Sequence, residues 1–228
     1  MVEGSASQGP LRAGSPLRTP RAAAVAGIVF AVLLISALVL LRLSVPSDPG
    51  VAGTWLTDAG RRVTVEIGLN LIPFAGIAFL WFIGVIRDRV GDREDRFFAT
   101  VFLGSGLLFV AMLFVAAAVG GGLIAVASSG TPGAGTLALG RNVTGILLNI
   151  YAMRMAAVFT LTLVTIARRT AIVSRWLTVA GLVTAVLLLV GVGISAWVEL
   201  IFPAWILVLS VDVLRAGQRA ANSSAPPG

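Results

Sequence analysis

Long apolar stretches alternate with short polar or charged ones along the whole chain. Six stretches are free or almost free of charged residues, and each is near or within the ~17–25 residues that a helix needs to cross a hydrocarbon core of about 30 Å. They cover residues 22–41, 67–86, 97–119, 144–167, 176–197 and 200–214. The pattern predicts an all-α fold: a polytopic transmembrane bundle of six helices.

Two of the six stretches admit alternatives. The first resembles a signal peptide in position, but its apolar region exceeds the usual ~7–15 residues and no small-residue cleavage motif follows it. The last is the shortest, with Pro203 and Asp212 near its two ends. We expect a short or tilted sixth helix, with a re-entrant segment as the alternative, because proline is tolerated in the first turn of a helix.

The remaining sequence is organised around this membrane domain, which covers residues 22–215. Residues 1–21 are rich in Gly, Ser, Pro and Arg, and residues 216–228 end in small residues and prolines, so both are predicted to be disordered tails. The Pro-containing segment 44–66 and the Gly-rich segment 120–143 are predicted to be flexible loops on one side of the membrane.

Composition supports a membrane location and excludes several kinds of site. Hydrophobic residues make up 57% of the chain and charged residues only 12%, against roughly a quarter in soluble domains. There is no Cys and no His, which excludes thiol redox chemistry, Cys/His metal sites and Ser-His-Asp triads. We therefore expect no catalytic residues, no metal and no cofactor, and the lipid bilayer is the first partner.

The arginines predict the orientation of the chain. All seventeen basic residues are Arg, and they lie in short clusters beside the apolar stretches rather than on one basic face, so no nucleic-acid partner is expected. With the N-terminus inside, twelve flank cytoplasmic ends and four flank outer ends. Both termini are thus predicted to be cytoplasmic. The Arg-only, Ala- and Leu-rich usage favours a bacterial source and the bacterial cytoplasmic membrane.

The segment GVIRDRVGDREDR, residues 84–96, places eight charged residues between the second and third apolar stretches. Its residues Gly84, Asp88, Arg89, Gly91 and Arg93 resemble the GxxxDRxGRR motif of the major facilitator superfamily, which lies between the same two helices. The resemblance implies a cytoplasmic gate-like loop in which the aspartate and arginines bridge helix ends.

A simpler interpretation of the same segment stays open. Asp92 stands where the motif has a basic residue, and that family has twelve helices rather than six. An Arg-rich inner turn satisfies the orientation rule without any gate, and its acidic residues can pair locally with neighbouring arginines.

Arg154 is the main candidate for a site inside the membrane. A charge near the bilayer centre costs roughly 2.5–3.5 kcal/mol and is expected to face a partner. Side chains lean toward the helix N-terminus, so Arg154 should reach the level of Glu66 and Glu199. With Asn70 and Tyr151 these residues are predicted to line an outward-facing polar pocket for an anionic headgroup or a small solute. A buried ion pair without ligand, and snorkelling of Arg154 to the headgroups, are the alternatives.

The function expected from these observations is that of a structural or accessory membrane subunit, acting through a homodimer or a partner membrane protein. A transporter of a small solute or lipid, with its polar pocket around Arg154, is the alternative. A membrane enzyme is disfavoured because the acidic cluster at residues 88–95 is neutralised by arginines.

Overall fold

The computed structural model describes residues 18–45, 56, 58–90, 96–130, 133–170, 174–191 and 197–223. Within these ranges six long helices follow one another. They are α1 (Arg18–Ser44), α2 (Ala59–Val90), α3 (Arg96–Ser129), α4, α5 (Arg175–Val190) and α6 (Ile201–Ser223), with a 3-10 turn, Val198–Leu200, before α6. Helix α4 has three parts: an α-helical part Ala134–Ile146, a π-helical turn Leu147–Ala152 and a second α-helical part Met153–Thr170.

The predicted fold class is confirmed. The described residues are almost entirely helical and contain no strand. Helices α1, α2, α3, α4 and α6 are long and apolar enough to cross a membrane, and α5 is a shorter apolar helix. The protein is therefore a polytopic membrane protein built as a bundle of six helices.

Several helices extend beyond the apolar stretches that predicted them. Helix α2 begins at Ala59 rather than near Ile67, and α3 continues through three glycines to Ser129. The prediction of a flexible loop over residues 120–143 was wrong for the described part, which is helical apart from Gly130 and Gly133. Gly120 lies where α3 packs closely on α2: a Cβ there would be 3.1 Å from the side chain of Leu69, so the missing side chain lets the two helices approach.

The shortest helix is α5 and not the last one. Helix α5 ends at Val190, and Gly191, a poor helix former, follows as its C-cap. Helix α6 has 23 residues, and Pro203 is accommodated in its first turn, where a missing backbone N–H costs no helical hydrogen bond.

The helices form a closed ring in chain order. Helix α1 packs against α2 and α6, α4 packs against α3 and α5, and the ring is completed by contacts of α2 with α3 and of α5 with α6. Gly27 near the start of α1 contacts Ser210 of α6, whereas Arg42 near the end of α1 contacts Glu199 just before α6. The start of α1 and the end of α6 thus lie at the same end of the bundle, called here the terminal end; the opposite end is called the Arg42 end.

Helix α1 gives a measure of the apolar thickness. Arg21 and Arg42 bracket an uncharged stretch and are 21 positions apart, which is about 32 Å at helical rise. That length matches a hydrocarbon core of about 30 Å. The level of Arg42 therefore marks one membrane interface.

Phenylalanine rings fill the centre of the ring of helices. Phe79 of α2 has ring-centroid distances of 4.5 Å to Phe30, 4.9 Å to Phe159, 5.1 Å to Phe109 and 5.9 Å to Phe202. These four partners come from α1, α4, α3 and α6, and all five rings are fully buried. The centroid distances and tilted or edge-on geometries are those that aromatic pairs prefer. We call these five rings the aromatic core.

Helix α5 supplies no ring to the aromatic core and is attached in another way. The indole of Trp205 in α6 donates a hydrogen bond of 3.2 Å to the backbone carbonyl of Leu177 in α5. The approach requires Gly181, because a Cβ there would meet the Trp205 ring at 2.6 Å. This hydrogen bond and the glycine bring α5 close to α6, and most of the other contacts of α5 are with α4.

The aromatic core makes a prediction for stability. Lipid tails are as apolar as phenylalanine, so moving the Phe79 side chain from lipid into the bundle contributes little free energy. Replacing Phe79 is therefore harmful because it removes ring contacts and leaves a cavity. At about 0.5–1.5 kcal/mol per ring pair, Phe79→Ala should lower the free energy of unfolding by about 2 kcal/mol or more, measured by titration with a denaturing detergent.

The matched control is Trp81→Ala, two positions along the same helix. Trp81 is 70% exposed on the surface of the bundle, so its removal should leave the unfolding transition almost unchanged. Equal losses for the two variants would contradict a stabilising role of the aromatic core.

Candidate functional site

Among the described residues Glu199 is a buried carboxylate, and its partner is Arg42. The guanidinium Nε of Arg42 donates a hydrogen bond of 2.7 Å to Oε1 of Glu199, and the two side chains are 27% and 5% exposed. Glu199 lies in the 3-10 turn before α6, whereas Arg42 ends the apolar part of α1. The pair joins two elements that are 157 positions apart in the chain.

Asn149 completes this contact from a third helix. Its side-chain Oδ1 accepts a hydrogen bond of 2.7 Å from Nη2 of Arg42. Asn149 belongs to the π-helical turn of α4, in which the wider helical winding shifts side-chain directions relative to an α-helix. We call Arg42, Glu199 and Asn149 the interhelical triad; it closes the Arg42 end between α1, α4 and the turn before α6.

The interhelical triad differs from the arrangement expected from the sequence. Glu199 was a candidate partner of Arg154, and Arg42 was interpreted as an orientation signal. Membrane depth could have indicated the pair from the sequence. Arg42 ends the first apolar stretch, Glu199 precedes the last apolar stretch, and both positions lie on the same side of the membrane. Sequence alone does not give the rotation of α4, which decides whether Asn149 or Arg154 faces these two residues.

Arg154 and Tyr151 lie on the outer surface of the bundle. They are three positions apart on α4, so they share one helix face, and both are exposed, with Tyr151 at 52%. Arg154 makes no ion pair with any described residue. We call Tyr151 and Arg154 the α4 polar face.

Glu66 and Asn70 lie at a third place, in a groove between α2 and α3. Both are exposed, and the amide Nδ2 of Asn70 donates a hydrogen bond of 2.9 Å to the backbone carbonyl of Glu66. Neither Tyr151 nor Arg154 lines this groove. The five candidates therefore occupy three separate positions: the interhelical triad, the α4 polar face and the groove.

The gate-like segment is described only in part. Helix α2 continues through Val90, so Gly84 and the backbone of Asp88 and Arg89 are helical rather than in a loop. Gly84 is exposed, and a Cβ there would contact nothing within 4 Å. The side chains of Asp88 and Arg89, and all of Gly91 and Arg93, lie outside the described residues.

Chemically, the interhelical triad is a satisfied contact rather than an open site. Each hydrogen bond that the guanidinium donates is charge-assisted, which makes it about twice as strong as a neutral one. Among the described residues no three Asp or Glu side chains converge as a metal site would require. Comparisons of the chain with models of protein families, with curated proteins and with solved structures found no match.

The interhelical triad predicts that removing one partner of the ion pair is more harmful than removing both charges. Arg42→Met leaves the buried carboxylate of Glu199 without its partner, and breaking a buried ion pair in this way costs about 3–5 kcal/mol. We expect the free energy of unfolding to fall by that order, and the double variant Arg42→Met with Glu199→Gln to regain most of it.

The control is Arg61→Met at the exposed pair of Arg61 with Asp58. Its atoms Nε and Oδ2 are 3.6 Å apart and both side chains are about half exposed, so the loss should stay below about 1 kcal/mol. If Arg42→Met were no more harmful than Arg61→Met, Arg42 would not be holding the helices together.

Proposed function

We propose that this protein is a structural or accessory subunit of a membrane complex, and that it binds a partner transmembrane helix through the α4 polar face. The observation that carries the proposal is the position of Arg154, which is exposed on the outside of the bundle and within its apolar thickness. Arg42, at the membrane interface, already has its partners inside the bundle.

The depth of Arg154 follows from the interhelical triad. Asn149 contacts Arg42 and so marks the interface level on α4. Arg154 lies five positions further toward the terminal end, which is about 7.5 Å deeper at helical rise. A guanidinium that faces lipid below the interface is costly, and it lowers this cost by snorkelling or by pairing.

The neighbour of Arg154 supports pairing with a partner helix. Tyr151 lies one turn nearer the interface on the same face and offers both a donor and an acceptor for hydrogen bonds. A cation and a phenol on one helix face suit a partner helix that carries a carboxylate at the same depth. A second copy of this chain and a different membrane protein are the two kinds of partner.

The aromatic core supports this proposal over the transporter alternative. Transport by a polar pocket around Arg154 requires a path for the substrate between the helices, but five buried rings fill the centre of the described bundle. Arg154 also lies outside the groove that holds Glu66 and Asn70.

We further propose that the protein resides in the cytoplasmic membrane of a bacterium with both termini in the cytoplasm. The described start and end of the chain lie at the terminal end of the bundle, so both face the same side. The excess of arginines on that side favours the cytoplasm.

The partner proposal is tested by site-specific photo-crosslinking. A photoreactive amino acid in place of Tyr151 should give one discrete adduct in the membranes of the organism that encodes the protein, identified by mass spectrometry. The control position is Leu182 of α5, which is similarly exposed at 46% and lies among apolar neighbours. An adduct of two copies identifies the partner as a second molecule of this chain.

The dependence of the adduct on the charge of Arg154 shows whether the partner pairs with Arg154 or only lies near it. Adding Arg154→Leu should remove the adduct by loss of the cation, whereas Arg154→Lys should keep it. The absence of an adduct at position 151, equal adducts at positions 151 and 182, or an adduct that survives Arg154→Leu would each overturn the proposal.

Orientation is tested by labelling with a membrane-impermeant maleimide. The chain has no Cys, so single-Cys variants have no background. Gly130→Cys lies at the Arg42 end and Gly217→Cys at the terminal end, and a Cβ at either position would meet no atom within 4 Å. In intact cells, position 130 should react and position 217 should react only after the membrane is opened; the reverse pattern would place the termini outside.

A further inference from the structure

A groove runs between α2 and α3 on the outside of the bundle. Its cavity volume is about 580 Å³, which lies within the range of about 300–1,000 Å³ found for ligand pockets. The lining is mostly apolar, with many small residues on α3. It consists of Glu66, Leu69, Asn70, Pro73, Phe114, Ala117, Ala118, Gly121, Ile124, Ala125 and Ser128.

The groove is polar at one end and apolar at the other. Gly68, two positions from Glu66, lies against the backbone of Ala37 and the side chain of Leu41, so Glu66 is level with Arg42 at the interface. Ser128 lies near the outer end of α3, 14 positions from Phe114, or about 21 Å at helical rise. The groove thus has its polar groups near the headgroups and its apolar groups at acyl-chain depth.

The polar groups of the groove present hydrogen-bond acceptors. The side-chain amide of Asn70 donates to the backbone carbonyl of Glu66, and the hydroxyl of Ser128 donates to the backbone carbonyl of Ala125 at 2.8 Å. The oxygen Oδ1 of Asn70 and the oxygen Oγ of Ser128 can therefore accept hydrogen bonds from a ligand. Pro73 has no N–H, so the carbonyl of Leu69 lacks its helical donor.

The charge of the groove is negative. Glu66 carries the one formal charge among the residues that line it, and its carboxylate makes no ion pair with any described residue. A ligand that complements these groups is a cation with several N–H donors at the interface and an apolar chain below it.

We propose that this groove binds a phospholipid whose headgroup ends in a primary ammonium, with the ammonium at Glu66 and one acyl chain along Pro73 and Phe114. The carboxylate and the free carbonyl oxygens accept the three N–H bonds of the ammonium. Arg62 is one helical turn from Glu66 on the same side of α2, so its guanidinium is available to donate to the phosphate of such a lipid. The inference is independent of the partner proposed for the α4 polar face, because no residue is shared.

The test is native mass spectrometry of the full chain in nanodiscs that contain equal amounts of phosphatidylethanolamine, phosphatidylcholine and phosphatidylglycerol. The wild-type protein should retain phosphatidylethanolamine preferentially; phosphatidylcholine has the charge without N–H donors, and phosphatidylglycerol has no cation. Glu66→Gln should reduce the preference at least about tenfold, as expected for one charge-assisted hydrogen bond.

Two matched controls separate the site from general effects. Asp58→Asn removes an equal charge near the outer end of the same helix, outside the groove, and should keep the preference. Gly121→Leu fills the groove, whereas Gly122→Leu adds the same side chain beside it; neither Cβ would meet an atom within 4 Å, so both variants should fold. Only Gly121→Leu should lose the retained lipid.

The results for the wild type and the four variants either support or overturn the lipid site. Loss of the preference in Glu66→Gln and Gly121→Leu, with retention in the two controls, supports the site. Equal retention of the three lipids by the wild type, a preference that survives Glu66→Gln, or a preference that disappears equally in Asp58→Asn would overturn it.

Discussion

The contact between Arg42 and Glu199 is the interaction on which the arrangement of the helices depends. A carboxylate that is 5% exposed at the edge of a hydrocarbon core needs a cation and a fixed geometry, and Arg42 supplies both. Because Asn149 shares the same guanidinium, the contact also sets the rotation of α4. Three elements from the beginning, middle and end of the described chain are thereby fixed at one level of the membrane.

Deeper in the membrane, close packing of side chains stabilises the bundle, and ion pairs between described residues do not. In lipid the helices gain little from hiding apolar surface, so close contact is what stabilises them. The aromatic core gives that contact at the centre, where rings from five helices meet. Glycines also give it, as Gly181 does beneath Trp205 and as Gly106 does beside the aromatic core, against Ile83 and Phe159.

Besides the interhelical triad, two polar places lie on the outside of the bundle, and their charges are opposite. The α4 polar face presents a cation and a phenol, which complement an acidic partner. The groove between α2 and α3 presents acceptors and one carboxylate, which complement an ammonium. A polar pocket was expected to unite these residues, but the groove that contains Glu66 and Asn70 lies between α2 and α3, and Arg154 of α4 is not among the residues that line it. This separation makes two surfaces with distinct partners more consistent with the geometry than one solute pocket.

The sequence by itself determined the class of the fold and the number of helices. Uncharged stretches of about membrane length can satisfy their backbone hydrogen bonds in lipid only as helices, so length and composition are sufficient. Helix ends were less well determined, since Gly120 and its neighbours continue α3 where a helix end was expected. The tertiary structure alone decided which polar residues meet, because that depends on the rotation of each helix about its axis. Asn149 faces Arg42 while Tyr151, two positions later, and Arg154 are exposed, and the apolar stretch of α4 does not by itself say which of these two faces is turned toward the bundle.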